Sequence, residues 1–313
     1  MDSKFSHDMF MEIVSRTSLK TLDTLWCINK DFEKLTYDPY LLNLHKQRNN
    51  IVSGFLASSG QGLMVFESPH SRSNRLVRYH VCKPATKQVL ELPNPKLKYL
   101  TKKVAMIVMG SKPLHYKIVR LSEPKPTNKW YELSYRCEIF DSKTWAWRRQ
   151  KDLLILPDPC VFYEQPITTN GSIYILLMNN EILKFDAYSE KWTTFSSPFP
   201  NHVGHGKLVK YQGKLGFACM TTETNLPPYW EIWVLTIGES WEKLRVADPN
   251  MVYNLEAIYD SETMVAWEHR ITLVFSRFKG GDHISKIKMF KGGHYPIRTF
   301  PFRSDFEPVD LRG

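Results

Sequence analysis

No apolar run in this sequence approaches the ~18 residues that a membrane-spanning helix needs, so no part of it reads as a membrane segment. The first residues, MDSKFSHDMFMEI, mix acidic with apolar side chains and hold no clean apolar stretch followed by a cleavage site, so they do not read as a signal peptide. Cysteine is sparse. The five present (Cys27, Cys82, Cys137, Cys160 and Cys219) are odd in number, widely spread and without a Cys-x-x-Cys pair. That pattern argues against a disulfide framework and against a cysteine zinc site, and it fits a reducing compartment. The expected location is therefore the nucleus, the cytoplasm or both. In that setting the sequon Asn170-Gly171-Ser172 reads more simply as a turn between strands.

The motifs of common enzyme classes are missing too. There is no Gly-x-Ser-x-Gly, Walker or dinucleotide-binding fingerprint. His202 and His205 stand three residues apart, but beside Gly204 and without a Glu-centred helix, which is a poor zinc site. His269, His283 and His294 have no spacing that suggests a shared site. No metal, no cofactor and no catalytic residue is expected, and the chain does not read as an enzyme. The net charge is +10, from 42 basic against 32 acidic residues, but the basic side chains form no dense stripe. Mild excesses at Arg72 to Arg78 and Lys96 to Lys103 read as solvated faces, so neither nucleic acid nor membrane is an expected partner.

What is present is repetition. Residues 181–195, EILKFDAYSEKWTTF, read as a strand, a polar turn containing Asp186 and a second strand with Trp192 near its start. Related text places Val89, Trp145, Trp241 and Ile297 at the same point of four other hairpins, with successive spacings of 56, 47, 49 and 56 residues. After residue 50 the chain is almost all strand-length runs broken by Gly, Pro, Ser and Asn, with little helical period. A sandwich would not need an aromatic, or its substitute, at a fixed point of every unit. Neighbouring propeller blades do, because they bury each other's faces. The expectation is an all-β propeller of about five or six four-stranded blades over residues 49–303, with Val89, Trp145, Trp192, Trp241 and Ile297 as blade-packing residues and 304–313 as a C-terminal tail.

Residues 1–48 differ in kind. Asp8 can cap a helix carrying Met9, Phe10, Ile13 and Val14; Thr21 can cap a second with Leu22, Leu25, Trp26 and Ile28; Pro39 suits the first turn of another. Three or four short helices make a unit too small to be comfortable alone, so a docking partner is a physical expectation.

The stretch Phe5 to Leu35 resembles the F-box of plant proteins, through Asp8, Met9, Glu12, Ile13, Val14, Arg16, Lys20, Leu22, Cys27, Ile28 and Lys30; Asp38-Pro39-Tyr40 and Leu44-His45 are similar to the text that follows it. The repeat region resembles the F-box-associated, kelch-related propeller of the same proteins, through Lys83-Pro84-Ala85-Thr86, Asn170-Gly171-Ser172-Ile173-Tyr174 and Glu181-Ile182-Leu183-Lys184-Phe185-Asp186. The departures are Phe5-Ser6 and Thr17-Ser18, where the family has Leu-Pro, and Phe32, where it has Trp.

The resemblance implies a substrate-recognition subunit of a Skp1–cullin–F-box ubiquitin ligase. Met9, Phe10, Ile13, Leu19, Leu22 and Leu25 would bind the Skp1-type adaptor and, through it, the cullin and RING subunits, while the propeller would hold a target protein. The departures keep a second reading open, an interaction scaffold of the same fold without ligase assembly. Exposed aromatic and Arg residues on loops are the usual anchors of protein interfaces, which makes Tyr229, Trp147, Arg148, His202 and His205 the target-binding candidates.

Overall fold

The computed structural model describes residues 56–58, 62–68, 78–97, 99–123, 133–155, 164–177, 179–199, 206–221, 229–236, 239–246, 254–258, 263–268, 272–277, 283–288 and 309–312. The helical reading of residues 1–48 lies outside them. Among them the strands form five antiparallel sheets, each following chain order, and the sheets are the blades of a five-bladed β-propeller. Blade one holds β1 (Leu56–Ser58), β2 (Met64–Ser68), β3 (Arg78–Lys83) and β4 (Gln88–Glu91). Blade two holds β5 (Leu100–Ser111), β6 (Leu114–Glu123), β7 (Leu133–Asp141) and β8 (Ala146–Arg149), with β9 (Leu153–Ile155) paired to the start of β7. Blade three holds β10 (Ile167–Thr169), β11 (Ser172–Leu176), β12 (Glu181–Asp186) and β13 (Lys191–Ser196). Blade four holds β14 (Gly206–Tyr211), β15 (Lys214–Thr221), β16 (Tyr229–Leu235) and β17 (Trp241–Val246). Blade five holds β18 (Asn254–Ile258), β19 (Thr263–Glu268), β20 (Thr272–Arg277) and β21 (His283–Lys288). First strands of successive blades touch one another, so they lie nearest the axis.

Strand alternation explains how the blades stack. Side chains along a strand point to opposite faces. In β6, Tyr116 and Ile118 join Leu63, Val65, Tyr79 and Val81 of blade one, while Val119 and Leu121 join Ile173, Ile175 and Phe185 of blade three. The other junctions repeat the scheme: Tyr174, Leu176 and Ile182 meet Leu208, Leu215 and Phe217, and Val209, Tyr211 and Ile232 meet Leu255, Ile258 and Met264. A blade buried on both faces needs near-continuous apolar strands, and β11 (SIYIL) is buried at every position.

The turns are set by local chemistry. Asn170-Gly171 and Gln212-Gly213 each place two successive residues at positive φ (49° and 70°; 48° and 77°), the conformation of the tight two-residue hairpin. The sequon is thus the β10–β11 turn. In the turn before β13, Asp186 Oδ1 accepts from the backbone N–H of Tyr188 (3.1 Å) and Ser189 (2.6 Å). The equivalent Asp141 accepts from Lys143 N–H at 2.9 Å.

Of the marker positions, Val89 departs from the expected packing, Trp145 packs from the turn instead of the strand, and Ile297 lies outside the described residues. Trp192 pairs with Phe185 across β12–β13, and the residue that pairs in the same way with Phe140 is Trp147, not Trp145. Trp145 sits in the turn at φ 52° and packs edge-on to Phe140 at 5.2 Å. Val89 holds the matching register opposite Cys82, yet it is 60% exposed, because the face it would share with a preceding blade is not packed there. In blade five the fourth strand is β21, which ends at Lys288, so Ile297 follows the four strands and lies outside the described residues. The fourth-strand tryptophans Trp147, Trp192 and Trp241 are each turned to the preceding blade, and Trp145 packs against the first of these clusters from the turn. Within the segment expected as a tail, residues 309–312 pack at the junction of blades one and two, where Leu311 is buried.

Candidate functional site

The two ends of the propeller differ. Strands one and two, and strands three and four, are joined by tight turns at one end. At the opposite end β5, β10, β14 and β18 begin, and the longer connections between blades arrive. This loop end carries a polar cluster near the axis. Lys207, second residue of β14, places Nζ 3.1 Å from Glu256 Oε2 on β18 and 3.5 Å from Glu164 Oε2 just ahead of β10, and donates to the Leu255 carbonyl at 3.4 Å. Lys103, on β5, donates to the Glu164 carbonyl. Two lysines and two carboxylates thus tie the entries of blades two to five together. The sequence reading took Lys96 to Lys103 as a solvated excess, but Lys103 is buried and bonded.

A second polar network lies deeper at the same end, between blades one and two. Arg120 and Glu138 are register partners on β6 and β7, 1% and 0% exposed, with Nη1 2.5 Å from Oε2. Arg120 Nε donates to Tyr79 Oη (3.0 Å) and Thr101 Oγ1 (3.1 Å), and its Nη atoms donate to the Leu97 and Tyr99 carbonyls. Glu138 Oε1 accepts from Leu97 N–H at 3.1 Å. All three guanidinium nitrogens are directed at acceptors, as a buried ion pair requires. Tyr79 Oη in turn donates to Glu67 Oε2 at 3.2 Å. Burial pushes the Tyr79 phenol up to about 12 and raises the Glu67 carboxyl above its ordinary value. The network fixes the connection from blade one to blade two.

Neither cluster offers a nucleophile with an adjacent base. Burial pushes the thiols of Cys82 and Cys137 up to about 11, which keeps them protonated and inert. Among the described residues no three His, Cys, Asp or Glu side chains gather into a metal site, and no helix is long and apolar enough to cross a membrane. At the loop end the charges are fixed by one another and mutually compensated, an arrangement that holds the blade entries together.

The expected target-binding residues are not brought together. Trp147 is 3% exposed, and its indole N–H donates to the Pro93 carbonyl at 2.6 Å, so it is a packing residue and not a surface anchor. Arg148 is 41% exposed and pairs with Glu190, joining blades two and three. Tyr229 opens β16 at the loop end and is half-buried. His202 and His205, like the adaptor candidates Met9, Phe10, Ile13, Leu19, Leu22 and Leu25, lie outside the described residues. Sequence reasoning missed Arg120 and Glu138. Their signal was a charged residue at a core-facing position of strand text, Ile118-Val119-Arg120-Leu121, with another opposite in Cys137-Glu138-Ile139.

Residues 24–272 match the model of the F-box associated beta propeller domain. The F-box protein At5g41720 of Arabidopsis thaliana is 24% identical over 166 residues, covering 39% of this chain and 89% of that protein. Two further Arabidopsis thaliana proteins carrying an F-box name, At4g38870 and At5g50220, are 24% and 22% identical, over 78% and 76% of this chain and 68% of each of theirs. A solved chain in the complex of KlAtg21 with the coiled-coil of AgAtg16 superimposes with a TM-score of 0.45 at 15% identity, over 79% of this chain and 73% of that one, too distant a likeness to inform the site. The five-bladed propeller and a family match spanning residues 24–272 lead to one assignment: the chain belongs to the F-box associated beta propeller domain family.

Proposed function

We propose that this protein is the target-receptor subunit of a Skp1–cullin–F-box type ubiquitin ligase, acting in the nucleus, the cytoplasm or both. The observation that carries the reading is the order of parts: F-box-like text from Phe5 to Leu35, followed by the F-box associated propeller. In this scheme Met9, Phe10, Ile13, Leu19, Leu22 and Leu25 present an apolar face to the Skp1-type adaptor, which links to the cullin and RING subunits. The propeller holds a target protein at its loop end, where Lys103, Glu164, Lys207 and Glu256 form a polar floor. The chain needs no cofactor and no catalytic group of its own. Its contribution is proximity, which turns an encounter between target and ubiquitin donor into an effectively intramolecular step.

A second reading, a scaffold of the same fold that does not assemble a ligase, is favoured by Phe5-Ser6 and Thr17-Ser18, which replace apolar and rigidifying residues of the F-box. Pull-down of the purified full chain with a purified Skp1-type adaptor separates the two. The ligase reading requires recovery of the adaptor and its loss in Ile13→Asp. Failure of the unsubstituted chain to recover adaptor leaves the scaffold.

A further inference from the structure

Among the described residues, segment 309–312, which follows blade five in the sequence, is held by residues of blades one and two. Gln88 on β4 treats Val309 as a strand neighbour would: its Nε2 donates to the Val309 carbonyl at 2.8 Å, and its Oε1 accepts the Val309 N–H at 3.4 Å. Thr86 orients that amide by donating to the same Oε1 at 2.7 Å. Two residues on, the buried Tyr116 hydroxyl donates to the Leu311 carbonyl at 2.8 Å. The Leu311 side chain, 5% exposed, enters the apolar cluster of Leu63, Val81, Tyr116 and Phe140. Arg312 lies over the Trp145 ring at 5.8 Å, and its N–H bonds Asp310 Oδ1 at 2.9 Å, which turns the chain.

These contacts divide as peptide recognition does. Three hydrogen bonds read the backbone, a pocket reads a leucine, and an aromatic face reads the next cation. They also engage two side chains of the cluster between blades one and two. Trp145 is held in a left-handed turn conformation outside the fourth strand, where its ring is free to face Arg312. The Tyr116 hydroxyl, raised in pKa first by burial and then by the Asp310 charge, has the Leu311 carbonyl as its acceptor.

We propose that the cleft formed by Gln88, Tyr116 and Trp145 is a peptide-binding site for an extended segment of the form Val-x-Leu-Arg, and that residues 309–312 are its resident ligand, bound in cis and exchangeable in trans. Docked, the segment latches the end of the propeller sequence onto its first two blades.

The test uses the full chain and a fluorescein-labelled peptide of residues 305–313. Leu311→Asp empties the site in cis. By fluorescence polarisation this variant should bind the peptide at least tenfold more tightly than the unsubstituted chain, whose site is filled. Adding Tyr116→Phe should weaken that binding by about tenfold, the cost of one buried hydrogen bond. Equal binding by Leu311→Asp and the unsubstituted chain, or binding untouched by Tyr116→Phe, overturns the proposal. Should Leu311→Asp fail to fold by circular dichroism, Gln88→Ala in the otherwise intact chain decides. Faster hydrogen exchange at the Val309 amide, with blade three unchanged, supports the site, and unchanged exchange at Val309 rejects it.

Discussion

The two faces of β6 carry one cation each, and they are treated differently. Arg120 faces blade one and is sealed with Glu138 at 1% and 0% exposure. Lys117 faces blade three and donates to the Ala187 carbonyl and to Glu190 (2.7 Å), a carboxylate that also pairs with the half-exposed Arg148 and accepts from Gln150. The first arrangement lies at the loop end and fixes the connection between blades. The second sits at the tight-turn end, where Lys117 is buried but its partner Glu190 is shared with Arg148, which is 41% exposed. A charge without water must have all its partners in place, whereas a network with an exposed member can fall back on solvent there. The same strand therefore holds a brittle junction on one face and a forgiving one on the other.

This contrast can be broken most forcefully at Glu138. Glu138→Gln leaves Arg120 buried without its counter-charge and should cost about 3–5 kcal/mol, read as a shift of the urea midpoint. Next come the junction tryptophans. Trp147→Ala and Trp192→Ala should each cost about 3–5 kcal/mol through lost packing, with target binding affected only through stability. Their Phe variants sharpen the comparison. The Trp147 indole bonds the Pro93 carbonyl, while the buried Trp192 Nε1 has only the Cys137 sulfur, a weak acceptor, beside it. Trp147→Phe should therefore cost about 1–2 kcal/mol more than Trp192→Phe, and equal costs would contradict the assignment. Glu190→Gln, which leaves Lys117 its bond to the Ala187 carbonyl and Arg148 its solvent, should cost about 1–2 kcal/mol, less than Glu138→Gln.

The smallest effect is in pH. Against the cost of burial, hydrogen bonds from Arg148 and Lys117 hold the Glu190 carboxyl below its ordinary value, and the Ser189 backbone N–H is the main cause of the same direction at Asp186. A carboxyl with a lowered folded pKa adds stability that is present above its unfolded pKa and lost as pH falls through the folded one. The urea midpoint should thus decline as pH drops from the top of the ordinary carboxylate range to below it. Asp186→Asn should make that decline shallower.

The sequence made the blades legible because Phe-Asp turns and strand alternation are local signals. Phe140-Asp141 and Phe185-Asp186 precede Trp147 and Trp192 by the same number of residues, and counting from that pair would have named Trp147 instead of Trp145 as the fourth-strand tryptophan. Visual likeness of the tryptophan text hid the register. Position relative to a preceding blade is non-local, which is why Val89 reads as core yet stands exposed. Arg120 and Glu138 read as ordinary strand charges until the register sets them face to face, and the docking of Leu311 joins residues 195 apart in sequence at Tyr116. The polar floor of Lys207, Glu164 and Glu256 draws on three blades, so no single repeat announces it.

The central claim is that one region recruits the ligase and another holds the target. Affinity purification of the intact chain from plant cells, followed by mass spectrometry, tests it directly when set beside Ile13→Asp. The account predicts that the unsubstituted chain recovers a Skp1-type adaptor together with a target protein, and that Ile13→Asp loses the adaptor and keeps the target. Adaptor recovery unchanged by Ile13→Asp, or loss of the target along with it, would contradict the division of labour.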